Sequence, residues 1–401
     1  MSEIKLPGFS PELALVVACS RWPFDESVEH EILNRAAVLI DWNRFLDWVH
    51  RNRIAPLVYH NLRQTESPLI PETVVARIRD EAAHNARRVL IQIAEATRIT
   101  RLLADAGIQS MIIKGPVLSL LAFGEPTLRD SQDIDLVIDP ARLLDADRLM
   151  TRAGYRRITP EAELTLFQFQ VYQRWRCQAR YYLDSVDLFL EIHWRLTSNS
   201  LLMPRDATIM CYRSQAVHIG GAAFTTLADE ELFLYLCVHG SVHVWFRLKW
   251  LADIAAFLQR LRPEIIERIA TRAQTLGLDR PFHVALTLAH ELIAAPVPSD
   301  ILAKARRDGA SRRLVIAGCK ALNWRGSPGE PSETPWFNTW LSWHAFRLKP
   351  GLQYRLRELQ QQMCSPEDWA RVRLPEKLFF LYLPLRPLSW TIRKIQHFIS
   401  G

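Results

Sequence analysis

The run DIDLVID at 133–139 constrains this chain more than any other stretch. Ile134, Leu136 and Ile138 alternate with Asp133, Asp135 and Val137, and a period of two belongs to a strand. Such a strand buries Ile134, Leu136 and Ile138 on one face. It aims Asp133 and Asp135 together from the other face, which the pattern leaves as the outward one. Two carboxylates a few ångströms apart repel, and one must hold a proton unless a cation lies between them. Hard divalent cations with a preference for oxygen suit that place, Mg²⁺ above all, or Mn²⁺. A D-x-D pattern is also common on open sheets, where both acids simply face water.

Two neighbouring stretches narrow the choice. SVDLFLEIHW at 185–194 puts Asp187, Phe189, Glu191 and His193 on one face and Val186, Leu188, Leu190 and Ile192 on the other. If this strand lies beside the first, Glu191 or Asp187 joins the acids. Upstream, IQSMIIK at 108–114 reads as a strand, and VLSLLAF after Gly115-Pro116 reads as a helix. A strand that turns at Lys114-Gly115-Pro116 into a helix offers free backbone N–H groups to an anion, and Gly115 permits close approach of a phosphate. An ordinary strand-to-helix turn would have the same sequence.

The pattern along the chain predicts an α+β protein, with a small mixed sheet between two helical regions. Residues 1–105 read as a helical region, 106–200 as the α/β core, 201–322 as a helical domain, and 323–401 as a loop followed by further helix. The long amphipathic stretch from Glu72 ends at Gly107, a natural helix C-cap. Tyr155 to Leu196 reads as strands and hairpins. Thr226 and Asp229 have the spacing of a capping box ahead of one helical run from Leu232 to Leu261. On that run His239 and His243 share a face, and Arg247 joins them if the helix continues. Packed core histidines would show the same spacing. Lys249 and Asp253 read as a surface ion pair of little worth. Arg174, Arg176 and Arg180 read as a solvated strand face.

Composition excludes more than it selects. The 401 residues are 49% hydrophobic and 23% charged, as in an ordinary globular protein. A formal charge of +7 favours anionic ligands only weakly. Cysteines 19, 177, 211, 237, 319 and 364 form no C-x-x-C pair, which predicts free thiols in a reducing cytoplasm rather than zinc or disulfides. The N-terminus does not read as a signal peptide, and no run reaches the ~18–20 apolar residues of a spanning helix. LFFLYLPLRPLSW at 378–390 is short and broken by prolines, which suits burial against the domain. No G-x-G-x-x-G, Walker A or G-x-S-x-G motif is present.

Taken together, IIKGPVLSLLAFGEPTLRDSQDIDLVI, EIHWRL and HGSVHVWFRLKWLADIA resemble the polymerase-β-like nucleotidyltransferases, and within them a family of uncharacterised bacterial nucleotidyltransferases. The resemblance runs from about residue 30 to 260. It implies a nucleotidyltransferase core with Asp133, Asp135 and Glu191 as metal-binding, catalytic acids. It implies Mg²⁺ or Mn²⁺ as the ion and an NTP such as ATP as donor. Lys114, Gly115, Arg129, His239, His243 and Lys249 become candidates for the nucleotide side.

The expected activity is transfer of an NMP to a hydroxyl of a small molecule, a peptide or RNA. A catalytically degenerate relative that binds a nucleotide or a partner is the alternative. An RNA-binding module would want a concentrated basic stripe with aromatics, and the arginines are dispersed.

Overall fold

A computed structural model describes residues 8–161, 164–203, 213–324, 337–363, 366–372, 374–382, 384–386 and 389. Cys211, Cys364, most of the expected loop at 323–338 and part of the apolar 378–390 stretch lie outside the described residues.

The N-terminal region is helical, as its periodicity predicts: α1 (Pro11–Ala18), α2 (Glu26–Ala36), α3 (Trp42–Asn52), α4 (Ala55–Thr65) and the long α5 (Glu72–Asp105). Side-chain oxygens of Ser10, Asp25 and Asp41 cap the first three helices. The chain leaves α5 through Gly107, whose φ of +68° suits glycine.

The α/β unit follows. Strand β1 (Ser110–Ile112) leads into α6 (Gly115–Phe123), then β2 (Asp133–Ile138), α7 (Leu143–Arg152), β3 (Arg156–Thr159), α8 (Leu166–Trp175), β4 (Gln178–Leu183) and β5 (Leu188–His193). The sheet order is β1-β2-β5-β4-β3. Only the β2–β5 pair is parallel; the other three pairs are antiparallel. Helix α8 replaces strand in the stretch expected to be all β. Thr165 and Gln168 close a capping box at its start, a local signal stronger than the aromatic content that suggested strands. Arg174 lies in this helix and Arg176 caps its end, so of the three arginines only Arg180 sits on a strand.

Strands β6 (Ser214–Ile219) and β7 (Ala222–Leu227) form a separate hairpin in what the sequence suggested was a helical domain. Thr226 belongs to β7, and α9 (Asp229–Val242) starts at Ala228 without a side-chain cap, so the expected capping box does not form. The helical run also breaks. Val244 and Trp245 take positive φ, and the Trp245 amide donates to the Gly240 carbonyl at 2.8 Å. A Cβ at Gly240 would collide with the Trp245 indole, so glycine is what lets the chain fold back there. Arg247 therefore precedes α10 (Leu248–Arg260) instead of extending the histidine face, and it donates to the Arg51 carbonyl. Helices α11 (Pro263–Leu276), α12 (Asp279–Ile293), α13 (Ser299–Arg307), α14 (Gly309–Leu322), α15 (Phe337–Ala345) and α16 (Leu352–Gln362) complete the elements used below.

Apolar burial explains how the sheet is held. Ile134, Leu136 and Ile138 enter one core with Leu188, Leu190, Ile192 and the end of α5. Met111, Ile113 and Val137 point the other way, into a larger core shared by α1–α4 and α9–α14. Both faces of β2 are thus covered. The carboxylate face is not the outward one that simple alternation suggested: Asp135 is 2% exposed, beneath the second helical layer.

Candidate active site

Lys114 ends the segment after β1, and its ammonium lies 2.8 Å from Asp135 Oδ1. The turn that sets it there needs Gly115. Its φ is +65°, and an added Cβ would lie 3.2 Å from Ser131 Oγ. Glycine here admits the loop before β2. Pro116, in the first helical turn, starts α6 as expected.

That loop is pinned from α5. Asn85 Nδ2 donates to the carbonyls of Thr127 and Arg129, and the Ser131 amide donates to Asn85 Oδ1 at 3.2 Å. Arg88 Nε donates to the Ser131 carbonyl at 2.7 Å. The approach to β2 is thus fixed before the first catalytic candidate.

Strand pairing sets the acids. Asp135 and Glu191 are register partners across β2 and β5, and Asp133 is opposite Phe189. Glu191 Oε2 accepts from Gln178 Nε2 at 2.7 Å, and Glu191 Oε1 lies 3.5 Å from Arg180. His193 Nε2 sits 3.0 Å from Asp135 Oδ1 and 3.5 Å from Glu191 Oε2. Ligand atoms of Asp135, Glu191 and His193 all lie within 4.8 Å of one another. Asp187 drops out as an alternative. It follows a short turn with φ of +50° and accepts from the Tyr182 hydroxyl at 2.7 Å, off strand β5.

The charges are uneven. Burial raises Asp135, but the Lys114 charge and the His193 hydrogen bond outweigh it and hold the carboxyl well below its ordinary range. Burial also opposes a low value at Glu191, and the His193 hydrogen bond overcomes it. At His193 burial is outweighed by its bonds to Asp135, Cys177 and Glu191, so the ring is held as imidazolium. Asp133 goes the other way, raised by burial and by the charges of Asp135 and Glu191. Lys114 and His193 are the buried cations here, with Arg180 3.5 Å from Glu191 at the rim, and the clustered oxygens of Asp135 and Glu191 could take a divalent cation in their place.

A cavity of about 370 Å³ opens beside the acids and is lined by Lys114, Arg129, Asp133, Asp135, Glu191, His239, His243 and Lys249, whereas the candidates Gly115 and Asp187 are not among its lining residues. Arg129 Nε donates to both oxygens of Asp253 at 3.0 Å. Asp253 therefore partners Arg129, and its expected surface pairing with Lys249 does not occur. Both Asp253 and Lys249 are buried. The Lys249 ammonium donates to the Asp130 carbonyl at 3.3 Å. Burial, aided by the Arg129 charge, lowers it to about 7. His243 stacks on Trp250 at 5.2 Å and His239 meets the same ring edge-on at 5.5 Å. Burial and then the Lys114 charge lower His243 to about 4, and the same two causes put His239 well below its usual value.

Sequence reasoning missed His193, Gln178 and the cavity-lining Arg53. A signal existed for His193, because alternation puts it on the Glu191 face. Gln178 and Arg53 needed the tertiary fold.

Paired carboxylates on adjacent parallel strands, with cations around one cavity, form a cluster whose oxygens could hold a metal ion. A family model described as an uncharacterised nucleotidyltransferase matches residues 39–294, and the chain belongs to that family. No curated protein and no solved structure matches it. Among the described residues no helix is long and apolar enough to cross a membrane.

Proposed function

We propose that the protein transfers an NMP from an NTP to a hydroxyl of an acceptor, with Mg²⁺ or Mn²⁺ held by Asp133, Asp135 and Glu191. The observation that carries this reading is the register partnership of Asp135 and Glu191 at a cavity that also holds Lys114, Arg129 and Lys249. The bound ion would neutralise charge on the phosphates and on the attacking oxygen.

The residues of the chain take the remaining roles. Lys249 and Arg129 face the triphosphate as cations, and Lys114 bridges from the acids toward it. The acceptor oxygen bonds to the α-phosphorus, the α–β bridging bond breaks, and pyrophosphate leaves. Glu191 takes the hydroxyl proton. In this reading residues 106–200 form the catalytic unit, and the helices of 201–322 close the nucleotide side.

One observation favours a second reading, a degenerate nucleotide binder. Asp135 already has two cationic partners, Lys114 and His193. Incubation with α-labelled NTPs, Mg²⁺ and a cell lysate separates the two. A labelled product identifies donor and acceptor class. NTP binding without labelling, with any of the four nucleotides and either ion, rejects the transferase.

A further inference from the structure

Part of the cavity wall comes from the segment after β5 and from α16, where Asn199, Tyr354, Glu358 and Gln361 line it. Glu358 is 6% exposed. Its Oε2 accepts from Asn199 Nδ2 at 2.8 Å, and the Gln362 side chain also hydrogen-bonds to it. Both partners are neutral amides, and among the described residues no cation pairs with this carboxyl. Burial raises it above the usual carboxylate range in spite of those two bonds. A buried carboxylate held only by amides costs free energy until a cation meets it.

A second observation stands apart from that one. Gln361 Oε1, three residues further along α16, is buried and has no hydrogen-bond partner among the described residues. Residues three apart share a helical face, so a carboxylate without a cation and an amide oxygen without a donor line the same wall. The Tyr354 hydroxyl, which could have served as a donor, is committed to the Ala345 carbonyl at 2.7 Å. This wall repels phosphate and suits a ligand that brings N–H donors and positive charge.

We infer that Glu358 and Gln361 form the acceptor subsite, and that the acceptor carries a cationic N–H donor, an ammonium or a guanidinium, close to its reacting hydroxyl. The inference rests on the nucleotidyltransferase reading, because that reading makes the remainder of the cavity the nucleotide side.

Ethanolamine and ethylene glycol test it, since they differ only in replacing an ammonium by a hydroxyl. Saturation-transfer NMR on the full chain, with Mg²⁺ and a non-hydrolysable ATP analogue, measures both. Ethanolamine is expected to bind at least about tenfold tighter than the glycol. Glu358→Gln keeps the shape and should bring the ratio close to one, and Gln361→Glu should raise it. A ratio near one in the parent protein overturns the inference. So does a preference unchanged in Glu358→Gln, or no ethanolamine signal from protein that binds the nucleotide analogue. An ethanolamine preference in protein that binds no NTP keeps the ammonium site and counts instead against the transferase reading.

Discussion

Asp135 on β2 and Glu191 on β5 are direct partners in the sheet's single parallel ladder, so their carboxylates leave neighbouring strands toward one cavity. A slip of one residue would turn Glu191 into the core that holds Leu190 and Ile192. The register is therefore held by the leucines and isoleucines, and the site inherits it. Lys114 and His193 then supply fixed positive charge, and the repulsion from Asp135 and Glu191 falls on Asp133.

That imbalance makes the two aspartates of the D-x-D pattern differ on mutation. Asp133→Asn should cut transfer by on the order of 10²–10³-fold or more. It should also leave the fold more stable at neutral pH, because burial and then the charges of Asp135 and Glu191 make an ionised Asp133 destabilising. Asp135→Asn should abolish transfer too, but it strips Lys114 and His193 of their carboxylate inside the protein. Breaking such a buried pair costs about 3–5 kcal/mol. Urea unfolding beside the labelled-transfer assay measures both. Equal destabilisation by the two substitutions would refute the charge assignment.

Lys249 links nucleotide binding to protons. Its ammonium is lowered to about 7 by burial and by Arg129, so at pH 8 it is mostly neutral in the free protein. A bound triphosphate favours the charged form and raises that value. Binding at pH 8 should therefore take up a proton, and affinity should weaken as pH rises through 7 and above. Calorimetry in buffers of different ionisation enthalpy reads the uptake directly. Lys249→Met should remove it; an unchanged uptake in that variant would place the proton elsewhere.

Much of this was legible in the sequence, for physical reasons that differ by element. Period-two alternation identified β2 and β5 because one face of each packs into an apolar core. Helical periodicity found α2 to α5 for the same reason. What failed depended on contacts made at a distance. The break after His243 follows from Trp245 folding back onto Gly240, which no local pattern announces. The burial of Asp135 comes from a second helical layer, and the Arg129–Asp253 pair joins residues 124 apart in the chain. Asp187 was lost to a left-handed turn that strand alternation ignores.

The two cavity histidines should make the fold acid-sensitive. Burial and Lys114 lower His243 to about 4, whereas the unfolded chain titrates near its ordinary value of 6.5. Between those values the unfolded state holds more protons, so stability rises with pH and is lost as pH falls from about 6.5 toward 4. His243→Gln removes a group that resists protonation. The variant should lose less stability than the parent between pH 7 and 5, with a difference on the order of 1–3 kcal/mol. Guanidinium melts at the two pH values check it, and parallel losses would show that His243 is not the group responsible.

Arg129 and Asp253 separate a structural role from a ligand-binding one. Among the described residues the side-chain hydrogen bonds of Arg129 run only from Nε, to both oxygens of Asp253. Its terminal nitrogens remain for a phosphate in the cavity that it lines. Arg129→Met leaves Asp253 buried and unpaired, at a cost of about 3–5 kcal/mol. Arg129→Met with Asp253→Leu removes both charges and fills the space, and it should recover most of that stability. NTP affinity should not return with it, because the phosphate ligand is still missing. A double variant that regains both stability and nucleotide affinity would show Arg129 to be a partner of Asp253 alone.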